Sequence, residues 1–225
     1  MNNRLDGKKV AILVENGFEQ VEMTEPRKAL QEATAIATEK GYKQLLPDIQ
    51  LTQAEVFLAE RRLPEARSTA EKAIAGAGTQ YKEVAAEAKS VFGHAQVLSG
   101  SRQGRVLCEN SLQMAQELED AALISRMMMK LAEALLEMGD AQNALPLAAQ
   151  AQERFSRAGQ VESEWRAFLI TAQANERTGN NAGAQMQRTR AKESLAQLEQ
   201  GWGSAAYKQY LSRPDIQSYY RQLGR

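Results

Sequence analysis

The sequence repeats itself with a period of about 40 residues, and this periodicity limits the possible folds more than any other feature. Small residues recur at intervals of 39, 39 and 40 residues, at Ala54, Gly93, Ala132 and Ala172. Similar stretches surround each of these anchors, and further alanines follow them. A fixed period in this range is typical of arrays built from one repeated supersecondary unit.

Each repeat predicts two amphipathic helices joined by a short turn. The small residues are expected where the two helices cross, because they let the backbones approach closely. Gly100, Gly139 and Gly179 fall where the first helices end, at positions suited to a left-handed cap. One pair cannot bury its apolar faces alone, whereas stacked pairs share a continuous core. The predicted fold is therefore all-α, an α-solenoid of antiparallel helix pairs.

The anchor pattern resembles the tetratricopeptide repeat, over roughly residues 25–200. The second copy departs from it, with Arg105 where an alanine is expected. The period exceeds the usual 34 residues and is similar to the longer-helix variant of MalT-like regulators and bacterial signalling proteins. HEAT and armadillo units have similar lengths but lack this Ala/Gly signature. The resemblance implies a non-catalytic scaffold that binds a protein or peptide in a concave groove.

The first helices of such arrays line the groove. The resemblance places thirteen residues there: Leu51, Glu55, Leu58, Ser90, His94, Val97, Met129, Glu133, Leu136, Arg166, Leu169, Gln173 and Arg177. The first half of this set is apolar with a few acidic residues, and the residues from the last repeat are basic. Arrays that bind the C-terminal carboxylates of heat-shock chaperones need Lys and Asn at early positions of the first repeat. Leu51 and Glu55 occupy those positions here, so we do not expect this binding mode.

The stretch "KKVAILVENGFEQVEMTEPRKALQEA" at residues 8–33 predicts a buried strand, a Gly turn and the start of a helix. Residues 5–33 resemble the N-terminus of the PfpI/ThiJ family of peptidases and deglycases. In that family a glutamate supports a catalytic cysteine, and Glu22 matches that glutamate. The remaining strands are missing, and Cys108 lies in a predicted helix. We interpret residues 1–23 as a strand–turn fragment joined to a helical array over residues 24–200. A PfpI-like enzyme is the alternative.

A lone strand at residues 9–14 would leave backbone groups unpaired on an apolar segment. It could be disordered, fold back on the array, or pair with the same strand of a second chain. The last of these predicts a homodimer through the N-terminal strand.

Residues 201–225 depart from the repeat pattern and are predicted to form a helical cap over the last repeat. Pro214 suits the first turn of a helix. The ending resembles the tails of some acidobacterial tetratricopeptide proteins carried behind serine/threonine kinases, although kinase motifs are missing. A regulatory or sensor domain detached from a kinase or transcription factor is therefore a further alternative.

Composition points away from several functions. Lys and Arg total 28 and so do Asp and Glu, so no basic field favours nucleic acid or an anionic membrane. A single cysteine fits a reducing compartment, and we expect a soluble cytoplasmic protein. His94, the one histidine, has no partners for a metal site. We expect no cofactor, Cys108 as a buried filler, and two of Met127–Met129 buried with the third exposed.

Overall fold

The computed structural model describes residues 20–223, and the part of the chain it describes is built from helices and turns. A short 3-10 helix at Lys43–Leu45 precedes α2. The α-helices are α1 Gln20–Glu39, α2 Leu46–Ala59, α3 Leu63–Ala77, α4 Lys82–Leu98, α5 Gln103–Glu117, α6 Ala121–Glu137, α7 Ala141–Arg157, α8 Val161–Arg177, α9 Asn181–Trp202, α10 Ser204–Ser212 and α11 Pro214–Tyr220.

Helices α2 to α9 form four consecutive pairs. Each helix packs against the next one in the chain, and α2, α4, α6 and α8 also pack against one another. The first helix of every pair therefore belongs to an inner layer, and α3, α5, α7 and α9 lie outside it. The anchors Ala54, Gly93, Ala132 and Ala172 fall in α2, α4, α6 and α8, as the period predicts. The prediction of an all-helical solenoid is confirmed for residues 20–223.

Helix α1 precedes the first pair and packs against α2. Leu30 and Ala37 are buried, and the Gln53 side chain donates to the Leu30 carbonyl oxygen at 3.2 Å. Because α1 begins at Gln20, residues 20–23 are helical and do not belong to a strand and turn. The predicted strand at residues 9–14 and the homodimer built on it lie outside the described residues.

The turns inside the pairs follow a recurring pattern of glycine and a capping side chain. Gly139 and Gly179 have φ of 81° and 86°, the left-handed conformation expected after the first helix. The next residues, Asp140 and Asn180, accept hydrogen bonds from the backbone N–H groups of Asn143 and Gly183. Each turn thus ends one helix and begins the next within three residues, which holds the pair antiparallel.

The second helices face their partners through a stripe of mostly small residues. Its buried members repeat at spacings of four, three and four residues: Ala66, Ala70, Ala73 and Ala77 in α3; Gly104, Cys108, Ser111 and Ala115 in α5; Ala144, Ala148, Ala151 and Phe155 in α7; Ala184, Arg188, Ala191 and Leu195 in α9. This spacing keeps one residue of every turn on the same face.

The assignment of Arg105 to the crossing position of the second pair is wrong, because Gly104 lies there. A methyl group added to Gly93 would come within 2.6 Å of the Gly104 carbonyl oxygen. The two backbones are therefore too close for any side chain. Arg105 instead lies beside the stripe, where its guanidinium pairs with Glu109 at 2.6 Å and Asp140 at 2.9 Å. The second pair therefore keeps the crossing of two small residues. Gly93 and Gly104 are one position closer together in the chain than the two crossing residues of the other pairs.

The C-terminal helices cover the last pair. Tyr210 of α10 is fully buried and accepts a hydrogen bond from the Trp165 indole N–H at 2.7 Å. Ile216 of α11 is also buried against this group, together with Leu195 and Leu198 of α9. Pro214 is the first residue of α11, as predicted.

Substituting Gly104 or Gly93 by alanine should destabilise the fold by about 1–3 kcal/mol, because the new methyl group overlaps backbone that cannot move aside easily. Gly201→Ala is the matched control, since that helical glycine has no atom within 4 Å of the added methyl group. It should be neutral, or stabilising by up to about 1 kcal/mol. Urea unfolding followed by circular dichroism measures all three. Equal stability of the Gly104 and Gly201 variants would contradict the close crossing.

Candidate binding cleft on the inner layer

A cleft of about 1000 Å³ runs along the inner layer. Its walls come from all four first helices, α2, α4, α6 and α8, and from the C-terminal segment after α10. Apolar side chains such as Leu58 and Ile170 alternate there with charged ones such as Glu55 and Arg166. The cleft is therefore a product of stacking: each helix pair contributes one strip of its surface.

Of the thirteen groove residues predicted from the sequence, nine line this cleft. They are Glu55, Leu58, Ser90, His94, Met129, Glu133, Leu136, Arg166 and Gln173.

The other four lie elsewhere. Leu51, Val97 and Leu169 are buried in the core at 9%, 7% and 1% exposure, because their positions on the helix point between the layers. Arg177 donates from Nη1 to the Leu136 carbonyl oxygen and so joins the end of α8 to the end of α6.

An ion pair crosses the cleft between non-adjacent units. Lys130 Nζ of α6 donates to Glu55 Oε1 of α2 at 3.0 Å, passing over the intervening helix α4. Burial lowers the pKa of Lys130, but Glu55 and Glu87 outweigh it, so the pKa is raised above its ordinary value. The ammonium group therefore remains charged although its side chain is only 21% exposed, and with Glu55 it forms an ion pair inside the cleft.

Glu133 and His94 lie close together in the cleft, and both side chains are largely buried. Their side chains are 13% and 14% exposed, and Nδ1 of His94 lies 3.9 Å from Oε2 of Glu133. Burial raises the pKa of Glu133 to about 7, although Arg166 and Lys130 favour the carboxylate. Burial, with the charges of Lys130 and Arg61, lowers the pKa of His94 to about 4. The histidine is thus neutral at neutral pH, and Glu133 titrates near pH 7.

Ser90 contributes a buried hydroxyl to the cleft wall. The residue is 1% exposed, and its Oγ has no hydrogen-bond partner within the described residues. The carbonyl four residues earlier, which a helical serine usually uses, belongs to Ala86 and already accepts from the Ser111 hydroxyl at 2.7 Å. A buried polar atom without a partner is unfavourable, so the site can accept one more donor or acceptor.

The C-terminal segment enters the cleft. Tyr219 packs its ring edge-to-face against Trp165, with ring centroids 6.1 Å apart, and its hydroxyl donates to the carboxylate of Glu133. Gln173 donates from Nε2 to Oε1 of Gln222. Tyr219 and Glu133 thus share one site although they are 86 positions apart in the chain, and the sequence period does not reveal this contact.

Sequence reasoning missed Lys130, although the signal was present. It lies three residues before Glu133, so both belong to one face of α6. The contribution of Tyr219 and Gln222 carries no such signal, because it depends on the turn at Arg213.

Other residues singled out in the sequence have structural roles. Met127, Met128 and Met129 are all buried, so the expectation that one is exposed is wrong; α6 is enclosed by neighbours on both sides. Cys108 is 1% exposed in α5, as expected, and burial raises the pKa of its thiol to about 12. Among residues 20–223, no group of three or more His, Cys, Asp or Glu is arranged to hold a metal ion. No helix in this part of the chain is long and apolar enough to cross a membrane.

The fold and the cleft together define a helical-repeat solenoid with a preformed inner groove. Comparisons with known proteins agree at the level of the fold. The chain is similar to the crystal structure of BtubC (BKLC) from P. vanneervenii, with a TM-score of 0.61 and 15% identity, over 92% of this chain and 91% of that one. No protein-family model matches the sequence. A search of curated proteins also finds no match.

The buried Glu133 should make stability depend on pH. Its pKa is raised from 4.5 in the unfolded chain to about 7 in the folded one, so the folded state binds more protons between these values. Its contribution to stability therefore falls as the pH rises through this window. Glu133→Gln removes the effect, and the variant should gain stability relative to the wild type from about pH 4.5 to 7.

His94→Gln provides a control of opposite sign. The pKa of His94 is lowered from 6.5 to about 4 on folding, so the wild type gains stability as the pH rises through that window. As the pH rises from about 4 to 6.5, the His94 variant should therefore lose stability relative to the wild type. Urea unfolding at a series of pH values measures both, and parallel curves for all three proteins would contradict the buried site.

Proposed function

We propose that this chain is a non-catalytic scaffold of the long tetratricopeptide type, acting in the bacterial cytoplasm, that binds a protein or peptide segment in the inner cleft. The observation that carries the proposal is the cleft itself, which extends over four helix pairs and is lined by alternating apolar and charged side chains. A groove with such walls suits a peptide, because apolar side chains can be buried while polar groups find partners.

The charges in the cleft are held in place before any partner arrives. Lys130 is bound to Glu55 at 3.0 Å, and Arg62 pairs with Glu60 at 3.5 Å. Prearranged side chains lose little freedom on binding, which favours affinity. A partner segment with both apolar and charged residues fits these walls better than a uniformly charged polymer such as nucleic acid.

The alternative of a PfpI-like enzyme has less support from the structure. A nucleophilic cysteine needs an accessible thiolate, whereas Cys108 is 1% exposed, has a raised pKa, and lies in the middle of a helix. Glu22, which matches the supporting glutamate of that family, lies within α1. A peptidase and deglycase assay of the pure protein separates the two functions, because turnover lost in Glu22→Gln would establish the enzyme.

A random dodecapeptide library displayed on phage tests the scaffold. Selected peptides should bind the purified wild-type protein, and Leu58→Asp should weaken their binding at least tenfold, because it places a charge on an apolar wall of the cleft. Val106→Asp is the matched control, since Val106 of α5 is 54% exposed and does not line the cleft. Biolayer interferometry on synthetic copies gives the dissociation constants.

Two results would contradict the proposal. One is that the selection enriches no binding peptide. The other is that the Leu58 and Val106 variants bind the selected peptides as well as the wild type does.

A further inference from the structure

The C-terminal residues from Arg213 to Leu223 already lie against the cleft in the way a bound peptide would. We propose that this segment is an internal ligand, and that the external partner is a short helix carrying a tyrosine where Tyr219 lies and a glutamine three residues later. The proposal rests on the proposed function, because it names the kind of segment that the same cleft recognises.

The position of Tyr219 has the features of a specific side-chain site. Its hydroxyl donates to the Glu133 carboxylate, and its ring meets the edge of Trp165 at an interplanar angle of 82°. Trp165 is fully buried and held by its own hydrogen bond to Tyr210. Aromatic pairs of this geometry add about 0.5–1.5 kcal/mol beyond the area they bury. The site therefore recognises both the ring and the hydroxyl of a tyrosine.

A second contact lies three residues further on, just after α11 ends at Tyr220. Gln173 of α8 donates to the side-chain oxygen of Gln222, and both residues line the same cleft as Tyr219. On the same face, Ile216 and Leu223 are 0% and 6% exposed. Tyr220, the neighbour of Tyr219, is 44% exposed and lies outside this face. The segment therefore presents Tyr219 and Gln222 to the cleft, and Ile216 and Leu223 to the adjoining core cluster around Trp165. A partner that replaces it would carry an apolar residue, a tyrosine three residues later, and Gln-Leu three residues after the tyrosine.

The segment is held in place by its side-chain contacts, since its helix contributes little stability of its own. Helix α11 has only seven residues, and a helix of this length has little stability of its own in water. It is joined to α10 through one extended residue, Arg213, with φ of −58° and ψ of 133°. Its position therefore depends on the side-chain contacts just described. Because it is tethered, it competes with any partner at a high effective concentration.

A fluorescein-labelled peptide of residues 213–223, "RPDIQSYYRQL", tests the proposal with the full-length chain. Fluorescence anisotropy should show at least tenfold tighter binding to Tyr219→Ala than to the wild type, because the variant weakens the internal competitor and leaves the site intact. Tyr220→Ala is the matched control and should bind as the wild type does. Gln222→Ala should strengthen binding by a smaller factor. It serves as a second variant if circular dichroism shows that Tyr219→Ala has lost helix.

Substitutions in the peptide test which of its atoms the cleft recognises. With the protein Tyr219→Ala, a peptide carrying phenylalanine at position 219 should bind at least fivefold more weakly, since it has no hydroxyl for Glu133. Phenylalanine at position 220 should have no effect. Equal binding of the two peptides, or equal affinity of the wild type and both variants, would overturn the proposal. A dimer seen by light scattering in the absence of peptide would also overturn the proposal, in favour of a second copy of the chain as the occupant of the cleft.

The two proposals can fail separately. If library peptides bind in a manner that depends on Leu58 while Tyr219→Ala changes no affinity, the internal ligand is wrong and the scaffold stands. If neither the library nor the 213–223 peptide yields a binder for any variant, the scaffold function itself is wrong.

Discussion

The close crossing of the two helices in each pair is the constraint on which the rest of the structure depends. In the second pair the backbones of Gly93 and Gly104 approach so closely that neither position can hold a methyl group. In the other pairs alanines such as Ala66 and Ala144 have the same role and are fully buried. Small residues at the crossing leave no room for bulky side chains within a pair, so the larger ones must lie between pairs. Stacking the pairs is the way to bury them.

Stacking, in turn, produces the cleft and its unusual charges. Once the pairs are stacked, α2, α4, α6 and α8 lie side by side, and the polar residues on their shared face are enclosed on several sides. Lys130 finds a carboxylate two pairs away, whereas Glu133 is held in a place that disfavours its charge. Strongly shifted pKa values are frequent at functional sites, because binding surfaces place polar groups where water is scarce. The position of Glu133 in the cleft fits this tendency.

The C-terminal helices α10 and α11 contribute both to the stability of the array and to the wall of the cleft. Helices α10 and α11 follow the fourth pair and cover its apolar surface, where they bury Trp165, Phe168 and Leu198. The covering segment is long enough to continue past the edge of α8, which carries Tyr219 to Glu133. One segment thus closes the core and fills part of the proposed binding surface. Any partner that enters this part of the cleft has to compete with a portion of the fold itself.

Local periodicity determined most of this architecture. The spacing of small residues and glycines predicts the helix pairs and their turns. The resemblance to the tetratricopeptide repeat places thirteen residues in the groove, and nine of them line the cleft. Three of the other four lie in the core, because a helix position only a fraction of a turn away, as for Val97 or Leu169, points inward. Gly104 was missed because a shift of one residue inside a pair leaves the 39-residue interval between anchors unchanged. The tertiary structure alone decided that Tyr219 meets Glu133, since 86 residues separate them and only the chain's turn at Arg213 brings them together.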